Sequence, residues 1–170
     1  MSVKRPGVVV RSRRSLVERT WEQKIADAVL SGVYLQRTHN PLGASLHVGQ
    51  PMKSGKVYLV PVEFKIPFEN LALIPSGKMA RGRILLTVVA GSLDGRTSEI
   101  STQHAPIEVP ETEVENTEGK PFVYSATLKL KPGAQIVSLA LTDEITQITS
   151  YVQPSMMIGD ADRTGKPRQP

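Results

Sequence analysis

Three histidines are the first residues in this chain that could hold a metal or move a proton near neutral pH: His39, His47 and His104. His39 precedes Asn40-Pro41 in a loop, His47 lies in the short strand ASLHVG, and His104 stands before Ala105-Pro106. No two share a ligand spacing such as i and i+4, and none adjoins a carboxylate in a known motif, so all three read as surface or loop residues. The chain contains no cysteine, which excludes a disulfide framework, a thiolate zinc site, an iron–sulfur cluster and a cysteine nucleophile. A serine nucleophile wants G-x-S-x-G on a strand-to-helix turn; that string does not occur. Glycines fall at turns, without a phosphate-cradling loop. Acidic side chains gather at 108–118 but lack the Asp/Asn spacing and glycine of a hand-type calcium site. The inventory therefore predicts a protein that is not an enzyme, with no catalytic residue, no metal ligand set and no cofactor.

The strongest charge feature is VKRPGVVVRSRR, where Lys4, Arg5, Arg11, Arg13 and Arg14 offer possible contacts to an anion or a nucleic acid. The formal net charge is +5, and residues 1–40 hold 8 Lys/Arg against 3 Asp/Glu while residues 41–170 hold 13 of each. All the excess is thus N-terminal. Nucleic-acid binding wants basic groups interleaved with aromatics, and no aromatic precedes Trp21. Arg11 and Arg13 would share one face of a strand. The cluster therefore reads as a solvated strand end, with nucleic-acid binding as the alternative. A carbohydrate-binding role would need exposed aromatics on one sheet face, whereas most of the Tyr and Phe residues sit at core-parity positions.

The elements that must position these residues are one helix and a run of strands. In SLVERTWEQKIADAVLSG, Ser15 and Glu18 stand at capping-box spacing, and Val17, Trp21, Ile25, Ala28 and Val29 recur at helical steps. Val17, Trp21 and Ile25 are the expected docking residues, and Gly32 is placed to end the helix in a left-handed turn. From residue 33 the period becomes two. VYLVPVEFKIP puts Tyr58, Val60, Val62, Phe64 and Ile66 on one face, and Pro61 marks that strand as an edge or a bulge. GRILLTVVAGS is apolar on both faces, as a central strand would be, and Asp94-Gly95 turns into the polar strand TSEISTQ. PFVYSATLKLK, AQIVSLALTD and QITSYVQ follow with Pro132-Gly133 and Asp143-Glu144 turns between them. The prediction is a mainly β chain: an antiparallel immunoglobulin- or fibronectin-like β-sandwich preceded by one amphipathic helix. Its expected divisions are 1–14, an exit hairpin or linker of a preceding domain; 15–32, the helix; 33–154, the sandwich; and 155–170, a disordered tail.

The stretches VKRPGVVVRSRRS, VPVEFKIP, LDGRTS and LKLKPGAQIVSLALTDEITQITSYV together resemble the C-terminal β-rich region of the von Willebrand factor A-related proteins of Acidobacterial type. The resemblance spans most of residues 3–153. Arg14 is followed by Ser15-Leu16 where that family often has a glycine and an aromatic, and the metal-binding string Asp-x-Ser-x-Ser of the A domain does not occur. The resemblance implies an accessory or protein–protein interaction module, extracytoplasmic or secreted, whose partner is an upstream A-type domain in the same polypeptide or another protein. No apolar run approaches the roughly 18 residues that cross a bilayer, and residues 1–14 lack the apolar core of a signal peptide.

Overall fold

The computed structural model describes residues 19–35, 37, 39–92 and 95–159. Lys4, Arg5, Arg11, Arg13, Arg14, Val17 and the expected exit hairpin lie outside them, as do residues 160–170 of the expected tail.

The helix α1 (Trp21–Gly32) starts later than the expected 15–32. Thr20 caps it from extended backbone: its hydroxyl accepts the Gln23 N–H, while the Gln23 side chain accepts the Thr20 N–H. The capping box of α1 is therefore T-x-x-Q; the S-x-x-E spacing at Ser15 and Glu18 lies outside the described residues. Gly32 is also not left-handed, because the helix ends with Val33 in the right-handed region. Its role is space: a Cβ there would stand 2.3 Å from Gln153 Nε2 and 2.4 Å from Ser138 Oγ.

Ten strand segments follow: β1 (Ser45–Val48), β2 (Met52–Ser54), β3 (Val57–Pro67), β4 (Ile74–Ser76), β5 (Met79–Ser92), β6 (Ser101–Pro110), β7 (Pro121–Leu130), β8 (Gly133–Asp143), β9 (Thr149–Val152) and β10 (Ser155–Ile158). They pair antiparallel in two sheets. In the four-stranded sheet β3 lies between β7 on one side and β1 and then β2 on the other. In the six-stranded sheet β5 lies between β6 and the line formed by β8 and β4, and β8 carries β9 and β10 on its far side.

Strand alternation explains the packing. Tyr58, Val60, Val62, Phe64 and Ile66 of β3 and Leu128 and Leu130 of β7 share one buried cluster with Ile84, Leu86, Ala105, Ile107, Val109, Val137, Leu139 and Leu141 of the other sheet. Burial of such side chains at roughly 1.5–3 kcal/mol each drives the two sheets together. β5 and β8 are apolar on their outer faces as well, where Val89 and Ala140 meet Ile25, Val29 and Val33, with Trp21 and Tyr151 packed alongside. A second close approach fixes this docking, since a Cβ on Gly91 would stand 2.2 Å from Val33 Cγ1.

Of the alternatives offered at Pro61, an edge or a bulge, the fold takes the bulge, and two other expectations change. Pro61 is inside a strand flanked on both sides, but residues 49–51 bulge away opposite Val60 and Pro61, so no N–H is wanted from the proline; its carbonyl accepts the Gly49 N–H at 2.8 Å. The strand expected at 97–103 pairs continuously only from Ser101, after a second bulge in which Ser98, Glu99 and Ile100 face Val89 and Ala90. Residues 155–158 are not tail but β10: they extend along β8, and Ile158 is 2% exposed within the shared core.

Candidate functional site

The densest polar chemistry lies on the outer side of the six-stranded sheet. Register brings Arg83 of β5 and His104 of β6 next to Glu144, which follows β8. The Glu144 carboxylate pairs with Arg83 Nε through Oε2 and lies 3.0 Å from His104 Nδ1 through Oε1, while the Glu144 N–H donates to the Arg83 carbonyl. Farther along, Arg81 Nε is 3.2 Å from Glu108 Oε1. A cleft of about 400 Å³ opens beside them, lined by Ile74, Ser76, Arg81, Gly82, Arg83, Glu144 and Ile145. The Glu144 side chain is 11% exposed against 58% for Arg83 and 56% for His104. The half-exposed Arg83 paired in this way adds up to about 1 kcal/mol, and the two contacts of Glu144 pin the turn after β8 to β5 and β6.

Asp143, one residue earlier, is 1% exposed and fully used inside the fold. Its Oδ1 accepts the Ile145 and Thr146 N–H groups and its Oδ2 accepts the Ala72 N–H at 2.8 Å. The carboxylate thus holds the β8–β9 turn and ties it to the connection between β3 and β4.

The second candidate is a groove of about 490 Å³ whose lining includes His47, Gly49, Pro61, Glu63, Ser125 and Thr127. The bulge opposite Pro61 shapes its floor, and a Cβ on Gly49 would stand 2.8 Å from Pro61 Cγ. His47 faces Glu63 across the β1–β3 register, and Glu63 pairs with Lys65 at 3.1 Å. The third histidine works through its backbone: the His39 carbonyl accepts the Tyr151 N–H at 2.9 Å. The three histidines therefore lie in three separate places. Among the described residues no group of three or more His, Asp or Glu could hold a metal ion.

The acidic stretch at 108–118 is split by the fold. Glu108 belongs to β6, Glu111, Glu113 and Glu115 sit exposed on two short helical turns, Glu111–Glu113 and Glu115–Thr117, and Glu118 is exposed just after them. Of the docking residues, Ile25 is buried and Trp21 partly buried against β5 and β8. Beside them the Arg37 guanidinium lies 5.2 Å from the centre of the Tyr151 ring, and Gln153 donates to the Gly32 carbonyl at 2.8 Å. Sequence reasoning did not find the Arg83–Glu144 pair. Its partners are 61 residues apart and meet only through the β5–β8 register.

The strand edges differ as much as the faces. Residues 39–42 cover β9, with the Leu42 N–H on Ser150 Oγ at 2.8 Å and His39 on Tyr151. β6 carries His104, Pro106, Glu108 and Pro110 along its length. β7 pairs with β3 through an unbroken register from Pro121 to Leu130, and among the described residues it has no strand on its other side. No helix among the described residues is long and apolar enough to cross a membrane.

No protein-family model matches the chain, and no curated protein does. Solved structures with partial likeness include a structural-genomics target designated SoR45, at TM-score 0.40 and 11% identity, covering 68% of this chain and 86% of that one. The putative ApaA protein of Bordetella pertussis is similar at TM-score 0.40 and 10% identity, over 71% of this chain and 95% of that one. A β-glucuronidase of Bacteroides uniformis is similar at TM-score 0.40 and 13% identity, over 68% of this chain but only 13% of its own length.

Proposed function

We propose that this chain is a non-enzymatic β-sandwich interaction module of immunoglobulin or fibronectin type that accompanies a von Willebrand factor A-related domain outside the cytoplasm. The strand order supports the sandwich type: β1/β2–β3–β7 in one sheet and β6–β5–β8–β9/β10 in the other form a hairpin-and-crossover pattern of seven strand lines. One observation carries the interaction role. The buried carboxylate Asp143 and the amides of Asn40 and Gln153 are spent on backbone groups of the fold, while among the described residues nothing covers the outer face and β7 edge of the four-stranded sheet. Recognition would then proceed by surface complementarity, without covalent chemistry.

The test is the reading frame upstream of Met1. An A-type domain carrying Asp-x-Ser-x-Ser, preceded by an export signal, is the expected finding. A frame with neither contradicts the association with such a domain.

A further inference from the structure

Natural sheets guard their open edges with short strands, proline, charge, bulges or a covering segment. In this protein each device appears, and among the described residues one edge has none of them along its middle. β2 and β4 are three residues long, β1 and β10 four. β9 lies under residues 39–42, and β6 carries Pro106 between His104 and Glu108. β7 is ten residues long, and its stretch Phe122–Leu128, FVYSATL, contains no proline, glycine or charge. It is also backed without a bulge by β3, so it is held straight and ready to pair.

The two ends of this edge carry opposite charges. Lys129 and Lys131 stand at its C-terminal end, while Glu111, Glu113, Glu115 and Glu118 precede its N-terminal end, where they outnumber the single Lys120 next to Pro121. Lys129, Lys131 and the four glutamates are exposed, and among the described residues none of them is in an ion pair. We infer that β7 pairs antiparallel with β7 of a second copy of this chain, about a two-fold axis at Ser125. That register sets Tyr124 opposite Ala126, Phe122 opposite Leu128 and Val123 opposite Thr127, joining large to small or apolar to apolar. Lys129 meets Pro121 of the other copy, and Lys131 meets its Gly119, beside its acidic turns. The contact is isologous, so it closes as a dimer and does not propagate. The net basic end of each copy is thereby set against the net acidic end of the other, with Lys120 opposite Leu130. This inference deepens the interaction-module reading by naming a partner, yet its failure leaves the upstream-frame test of that reading untouched.

Sedimentation equilibrium at low salt, up to about 100 μM protein, is the experiment. The wild-type chain is expected to be in reversible monomer–dimer equilibrium that weakens as salt rises. Ser125→Lys opposes two like charges at the axis and is expected to weaken dimerisation about tenfold or more. Lys129→Glu with Lys131→Glu, and separately Glu115→Lys with Glu118→Lys, should each reduce self-association, and an equimolar mixture of the two double variants should recover it as a heterodimer. Far-UV circular dichroism verifies that each variant is folded. A wild-type chain that stays monomeric overturns the inference, as does a dimer indifferent to Ser125→Lys or a mixture that recovers nothing.

Discussion

The two sheets of this protein treat their outer surfaces in opposite ways. The six-stranded sheet is covered: α1 lies on Val89 and Ala140, residues 39–42 lie along β9, and Arg83, His104 and Glu144 tie β5, β6 and the β8–β9 turn together. Among the described residues the four-stranded sheet is covered only inside. On β3 and β7 the core-facing residues are buried or half-buried, while Ser125, Thr127 and Lys129 face solvent on the other side. The difference teaches where change is tolerated. On the covered sheet a side chain is hemmed in by other elements, so substitutions act on stability; on the bare sheet they act on what the protein can touch.

The largest expected effect breaks the covered side. Asp143→Ala removes the buried carboxylate to which three backbone N–H groups donate and should cost about 3 kcal/mol, read as a lower midpoint in urea unfolding. Gly91→Ala forces a methyl against Val33 and should cost about 2 kcal/mol by lifting the helix from the sheet. Loss of the helical signal at a lower temperature than the sheet signal would locate that damage at α1. Thr20→Ala removes the N-cap and should cost about 1 kcal/mol in the same measurement. The smallest effect is on the bare side: Ser125→Lys should shift stability by no more than about 0.5 kcal/mol, since Ser125 is exposed on an open strand. Equal penalties for Gly91→Ala and Ser125→Lys would erase the distinction between the sheets.

Much of this was legible where the signal is local. The buried faces of β3 and β7 follow from simple alternation, and the two-faced burial of β5 follows from ILLTVV, which has no polar side other than Thr87. The polar spacing of Asp143-Glu144 marks a turn for the same reason. What the sequence hid depends on distant partners. Thr20 and Ser15 both offer capping spacing, and only the position of the sheet selects a start that turns Ile25 and Val29 toward it. Gly32 looks like a turn residue and Gly91 like an ordinary strand position, but neither has a positive φ; they are small because Gln153, Ser138 and Val33 arrive from elsewhere. His104 appeared to stand in a loop because Pro106 follows it closely, yet an edge strand accepts a proline that an inner strand would reject. Its neighbours Arg83 and Glu144 carry no local mark of their meeting. Ile158 sits in a polar, glycine-containing stretch, and only the exposed flank of β8 makes it a core residue.

The contrast between the guarded edge β6 and the unguarded edge β7 is tested most directly by amide hydrogen exchange at low and high protein concentration. The account predicts that protection across residues 121–130 rises with concentration while protection across 101–110 stays constant. Protection that is unchanged at both edges, or that rises at β6 and not at β7, would contradict it.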